Sequence, residues 1–128
     1  MVPAHPGYPP SSMSPQDERL WAMLAHIGGL LVPFAWLIIY FVYRDRGPFV
    51  RAHAAEAVNF HLSLLIYQVV GILLSFVLMI VTMGLGLFLI VPLLFGLGIY
   101  AIVAVIMAAI AANQGRPFRY PMTIRMVN

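Results

Sequence analysis

Read only for hydrophobic and polar positions, the chain has a polar beginning, three long apolar runs and a polar end. The runs cover residues 20–43, 54–82 and 87–112. Each exceeds the roughly 20 residues that a helix needs to cross a bilayer. Barrel strands would instead show short alternating segments, so the pattern predicts an all-α integral membrane helical bundle. Three transmembrane helices are expected, and four if the first run divides. Gly28, Gly29 and Pro33 interrupt that run and predict a kink or a break near its middle: a single kinked crossing is the preferred reading, and a tilted or interfacial helix to about Leu31 followed by a second, shorter helix is the other. Residues 34–43 alone are too short to span, at about 1.5 Å per residue. YRDRGPFVRAH, residues 43–53, is the one hydrophilic interior loop, broken by Gly47 and Pro48. TMGLG, residues 82–86, predicts a tight turn that folds the second and third runs into an antiparallel hairpin; Pro92, Gly96 and Gly98 interrupt the third.

The two ends read differently. Residues 1–18 are rich in proline and small polar residues and predict a disordered tail ahead of a membrane domain over 19–128. With no basic segment followed by a short apolar core, this tail is expected to stay on the mature protein. Ser14, followed by Pro15, Asp17 and Glu18, has the pattern of a helix start. At the other end, Phe118, Tyr120, Met122, Ile124 and Met126 alternate with Arg119, Pro121, Thr123 and Arg125, the period of an extended, half-buried segment on the membrane interface.

Composition sharpens the picture. Hydrophobic residues make up 62% of the 128 positions and charged residues 9%, and the mean hydropathy is +0.95. These values belong to a membrane protein. Cysteine is absent, which removes disulfides, thiolate chemistry and Cys-based metal sites. All the basic residues are arginine, and a net charge of +3 in so apolar a chain points to lipid headgroups rather than nucleic acid. With three crossings, Arg44, Arg46, Arg51, Arg116, Arg119 and Arg125 fall on one side as headgroup contacts, and Arg19 alone on the other. The positive-inside rule then places the first loop and the C-terminus in the cytoplasm and the N-terminus outside the inner membrane.

Candidate chemistry is confined to one stripe. At about 100° per residue, Glu56, Asn59, Ser63 and Tyr67 share a helix face with His53 on its margin. His61 and Gln68 lie on a neighbouring face, and His26 can approach from the first helix. Intramembrane ionisable groups mark ion or substrate paths. Counting back about 20 residues from Thr82 puts the hydrocarbon edge near Leu62, however, which favours an interfacial structural cluster. Within it Glu56 would pair with Arg51 or another loop arginine, and Asn59 would satisfy backbone freed at the Gly28–Pro33 break. HAAEA approximates a zinc-protease motif, but Ala57 replaces the second histidine, so no metal or other cofactor is expected. No hydrolase elbow, P-loop or dinucleotide fingerprint is present, and Ser63 and Ser75 lack a base and an orienting acid; the chain does not read as an enzyme. Ala104, Ala108 and Ala112 repeat every fourth residue and predict close approach of another helix, either the second of this chain or the third of a neighbour.

DERLWAMLAHIGGLL, FVRAHAAEAVNFHLSLLIY and NQGRPFRYPMTIRMVN together resemble the bacterial Tic20-like proteins of the DUF4870 family over residues 16–128. The elements at residues 53–60 and 115–121 carry the likeness most specifically. The resemblance implies a small multi-pass membrane protein without an assigned activity, distantly related to a chloroplast protein-import component with four membrane helices. The expected function is that of a structural or accessory interaction subunit, partnered by the lipid bilayer and by other copies or another membrane protein. The alternative is an oligomeric channel or translocon-like component built around the polar stripe.

Overall fold

The computed structural model describes residues 12–128. The described chain is all-helical, with α1 (Pro15–Leu31), α2 (Ala35–Tyr43), α3 (Pro48–Val81) and α4 (Leu87–Asn113) followed by an extended tail. Residues 1–11, most of the expected disordered segment, lie outside the described residues. The helix start was legible: Ser14 accepts the Asp17 amide at 3.1 Å, and Pro15 opens the first turn.

The first apolar run is two antiparallel helices rather than one kinked crossing. Val32 is extended ahead of Pro33, which ends α1, and Phe34 turns the chain in the left-handed region at φ 62°. α2 then folds back on α1. Trp21 stacks on Tyr43 at the open end, 4.3 Å between rings, while Ala25 packs among Trp36, Ile39 and Tyr40. A Cβ on Gly29 would lie 2.9 Å from Trp36, so the glycine permits the return. Two described helices, α3 and α4, are long and apolar enough to cross a membrane.

α3 and α4 are joined by the expected tight turn, with Met83 and Gly84 in the left-handed region at φ 54° and 94°. Thr82 closes it by donating its hydroxyl to the Leu78 carbonyl and accepting the Gly86 amide, each at 2.7 Å. The hairpin is nevertheless not tight along its length. α1 packs extensively on both α3 and α4, which barely touch each other. Pro92 stands inside α4 without ending it.

The core is therefore concentrated at one end. Buried residues of α3 stop at Ser63, and those of α4 start at Ala104. Beyond these points both helices are bare: Leu73, Phe76, Ile80, Phe88, Leu93 and Phe95 are all more than half exposed. Ala104, Ala108 and Ala112 do allow close approach, to side chains of α3, of α1 and of the tail. Ala112 meets Ala22 and Phe49, and Ala104 and Ala108 pack with Phe60 and Tyr120.

All seven arginines gather at this packed end. The Ser12 amide donates to the Arg46 carbonyl at 2.8 Å, so the start of α1 lies beside the 44–47 loop. Arg19 is not separated from the others: a Cβ on Gly115 would lie 2.8 Å from its guanidinium, which places the start of α1 beside the end of α4.

Candidate functional site: a polar rack beneath the C-terminal tail

Each polar residue of the α3 stripe bonds the backbone of the tail. Glu56 accepts the Tyr120 amide at 3.1 Å. Asn59 accepts the Met126 and Val127 amides, both at 2.8 Å, and donates to the Val127 carbonyl at 2.9 Å. Ser63 accepts the Ile124 amide at 2.9 Å while donating to the Asn59 carbonyl. Tyr67 donates to the Met122 carbonyl at 2.6 Å. A helix face repeating every three to four residues thus meets an extended chain repeating every two, and the polar side chains supply the partners that a neighbouring strand would.

This geometry reassigns several expected contacts. Glu56 pairs with Arg125 at 2.6 Å, not with Arg51, which reaches Asp45 at 3.6 Å. Asn59 serves the tail and not the α1–α2 break. Arg125 remains exposed while its guanidinium holds Glu56. The tail's alternation also reverses at Met122, whose φ of 53° turns the chain. Phe118 and Tyr120 face the protein before this turn, whereas Met122, Ile124 and Met126 are exposed after it.

A second set of bonds crosses the centre. His26 Nε2 and His53 Nδ1 are 2.9 Å apart, the Tyr120 hydroxyl is 2.7 Å from His26 Nδ1, and His53 Nε2 is 2.8 Å from the Arg116 carbonyl. A carbonyl only accepts, so His53 carries its proton on Nε2 and receives the His26 Nε2 proton on Nδ1. His26 Nδ1 is then left to accept from Tyr120. The chain is complete with both imidazoles neutral: a proton added to His53 Nδ1 would set two N–H groups face to face, and one added to His26 Nδ1 would force the Tyr120 hydroxyl to turn from donor to acceptor. Burial first, and then the neighbouring His53 and His61, hold His26 well below the usual histidine range. Burial likewise pushes the Tyr120 hydroxyl up, with Glu56 adding to the effect. Tyr120 also stacks on Phe60, 3.9 Å between rings.

Two pairings escaped the sequence reading. Glu18, expected only to favour the start of α1, is 1% exposed and accepts the Phe49 and Val50 amides at 3.0 and 3.1 Å. Its carboxylate caps α3 from another helix, beside Gly47, where a side chain would collide with it. His61 lies off the rack, stacked on Trp36 at 5.0 Å. Nothing in periodicity could have revealed either pairing, since each joins residues from different elements.

The remaining arginines lie around the rim. Arg44 stands over Tyr40 and Phe41, and Arg46 over Tyr43, while Arg116 bonds Gln114 at 2.9 Å. Arg119 and Arg125 border a cleft of about 620 Å³ between α3 and the tail, which also meets His53, Glu56 and Phe49. Among the described residues no group of three or more His, Asp or Glu is placed to hold a metal ion. The polar stripe that a channel would need for its lining is spent on the chain's own tail.

Two long bare apolar helices rising from a compact polar-cored base define a small polytopic membrane protein. The chain belongs to the magnetosome magnetite crystal formation protein family, MamF/MmsF, whose model matches residues 17–127. This match corrects the resemblance to Tic20-like proteins of DUF4870. No curated protein and no solved structure matches the chain.

Proposed function

We propose that the protein is an accessory subunit of the magnetosome membrane that influences magnetite crystal formation through lipid and protein contacts, without itself catalysing a reaction or binding the mineral. The observation that carries this reading is the one-sided distribution of charge. All seven arginines and all four carboxylates (Asp17, Glu18, Asp45 and Glu56) belong to the packed end, whereas the far end is the uncharged turn TMGLG. In this reading α3 and α4 cross the bilayer, and the α1–α2 hairpin enters from the arginine side and returns to it. The positive-inside rule puts that side, with both ends of the described chain, in the cytoplasm. Carboxylates are ligands of iron, and the far turn carries none: Met83 and Leu85 are exposed and the Thr82 hydroxyl is occupied within the turn.

The test is complementation of a deletion strain in a magnetosome-forming host, with crystal size read by electron microscopy. Met83→Ser with Leu85→Ser alters the far turn and should leave crystals at their wild-type size. Asn59→Ala with Glu56→Gln releases the tail at the arginine end and should reproduce the deletion phenotype. The opposite pattern would sink the proposal and assign the crystal-directed role to the turn.

A further inference from the structure

We propose that the packed base is seated on the bilayer by two apolar feet, the α1–α2 tip and the tail turn at Met122, whose partner is the outer edge of the hydrocarbon in the arginine-side leaflet. The proposal deepens the lipid contact named in the reading above, and it rests on the crossing of α3 in that reading.

Height along α3 places both feet. α1 runs beside α3 in the same direction: Glu18 meets Phe49, His26 meets His53, and a Cβ on Gly29 would lie 3.0 Å from the His61 ring. The tip that follows, residues 31–34, therefore stands at about the level of Leu62 and Ser63. On the other flank Ser63 accepts the Ile124 amide at 2.9 Å, and Tyr67 and Tyr100 donate to the Met122 and Pro121 carbonyls, each at 2.6 Å. The 19 residues from Ser63 to Thr82 rise roughly 28 Å at about 1.5 Å each, close to a full hydrocarbon thickness of about 30 Å. Two segments far apart in sequence thus stop at one level, where hydrocarbon gives way to headgroups.

Each foot turns apolar side chains outward. Leu31 is 80% exposed and Met122 69%, with Val32, Phe34 and Ile124 beside them at 45% to 58%. In water these would be apolar patches without a partner; at the hydrocarbon edge they continue the bare surface of α3 and α4. Tyr67 and Tyr100 hold the tail turn at the height of an interfacial aromatic belt. Above the tip, Ile38 and Phe41 extend into the headgroup layer, where the Arg44 guanidinium lies over Phe41 at 5.4 Å. The tail is held from two sides, by α3 through its backbone and by lipid through its side chains.

The test uses the full chain with one substitution at a time, Leu31→Cys, Met122→Cys, Leu73→Cys or Asp45→Cys, each labelled with a small fluorophore and reconstituted into phosphatidylcholine vesicles. Quenching is read with bromine at the top of the acyl chains, with bromine near their ends, and with aqueous iodide. Leu31 and Met122 should lose most fluorescence to the upper bromines, Leu73 to the deeper ones, and Asp45 to iodide alone. Met122→Asp removes the apolar foot while keeping a residue that tolerates the left-handed backbone there. The Ile124 amide should then exchange about tenfold faster, as the lost contact of one partly buried apolar side chain implies. Iodide quenching at Leu31 and Met122 with little from either bromine would leave the base clear of the membrane and overturn the seat. Strongest quenching of both by the deeper bromines would overturn it too, and unchanged exchange at Ile124 would remove the tail foot. Cysteines at Leu85 and Asn128 that label from the same face would instead overturn the crossing on which the seat rests.

Discussion

Replacing Asn59 by alanine removes three hydrogen bonds from the docked tail and no apolar packing of comparable size. The lost bonds are those from the Met126 and Val127 amides to Oδ1 and from Nδ2 to the Val127 carbonyl, at 2.8 to 2.9 Å. Asn59 is 2% exposed, so water does not take its place while the tail stays docked. At a net value of about 1 kcal/mol per bond the change costs docking about 3 kcal/mol. That corresponds to an increase of roughly 100-fold in the undocked fraction over residues 124–128. Amide hydrogen exchange in lipid nanodiscs reads this directly. The Met126 and Val127 amides should exchange about 100-fold faster, and between about 10- and 2,000-fold over the range of about 0.5 to 1.5 kcal/mol per bond. The Tyr120 amide, bonded to Glu56 and anchored by a buried ring, should change little. Wild-type exchange at Met126 and Val127 would refute the rack, and equal acceleration throughout α3 would show instead that Asn59 supports the whole helix.

Other perturbations probe separate supports. Phe60→Ala removes a side chain 1% exposed and stacked on Tyr120, and should destabilise the packed end by about 3 to 5 kcal/mol in a detergent unfolding titration; a loss below about 1 kcal/mol would contradict the stacking account. Glu18→Ala uncaps α3 and should cost about 1 to 2 kcal/mol, seen as a lower thermal midpoint together with faster exchange at Phe49 and Val50. His26 binds its proton less readily folded than unfolded, so its contribution is complete above the unfolded value near 6.5 and declines as pH falls below it. The loss should approach about 1.4 kcal/mol per pH unit, and His26→Asn should shallow that slope; an unchanged slope would remove His26 as its source.

How much of this was legible depends on the distance over which each signal acts. Local chemistry read well: the Ser14 cap, the Gly47–Pro48 break, the TMGLG turn and the register of Glu56, Asn59, Ser63 and Tyr67 each depend on neighbours within about one or two helical turns. Hydropathy located apolar residues but not their direction of travel. Gly28, Gly29 and Pro33 announce an interruption equally for a kink and for a reversal; the reversal is determined by Phe34 in the left-handed region and by Trp36 closing over Gly29. That difference moves Arg19 to the side of the other six arginines. The polar stripe was found, but its partner was not. Its partner is backbone, and backbone carries no residue-specific signature. Tyr120 meets His26 across 94 positions and Glu18 meets Phe49 across 31, separations that periodicity does not reach.

The topology is the central claim, and side-specific labelling of single cysteines in this naturally cysteine-free chain tests it most directly. Suitable positions are Ser12, Asp45, Leu85 and Asn128; Gly47 is unsuitable, because a side chain there would strike Glu18. The account predicts that Ser12, Asp45 and Asn128 label from one face of the membrane and Leu85 from the other. Ser12 labelling from the same face as Leu85 would contradict it, because the first apolar run would then cross the bilayer.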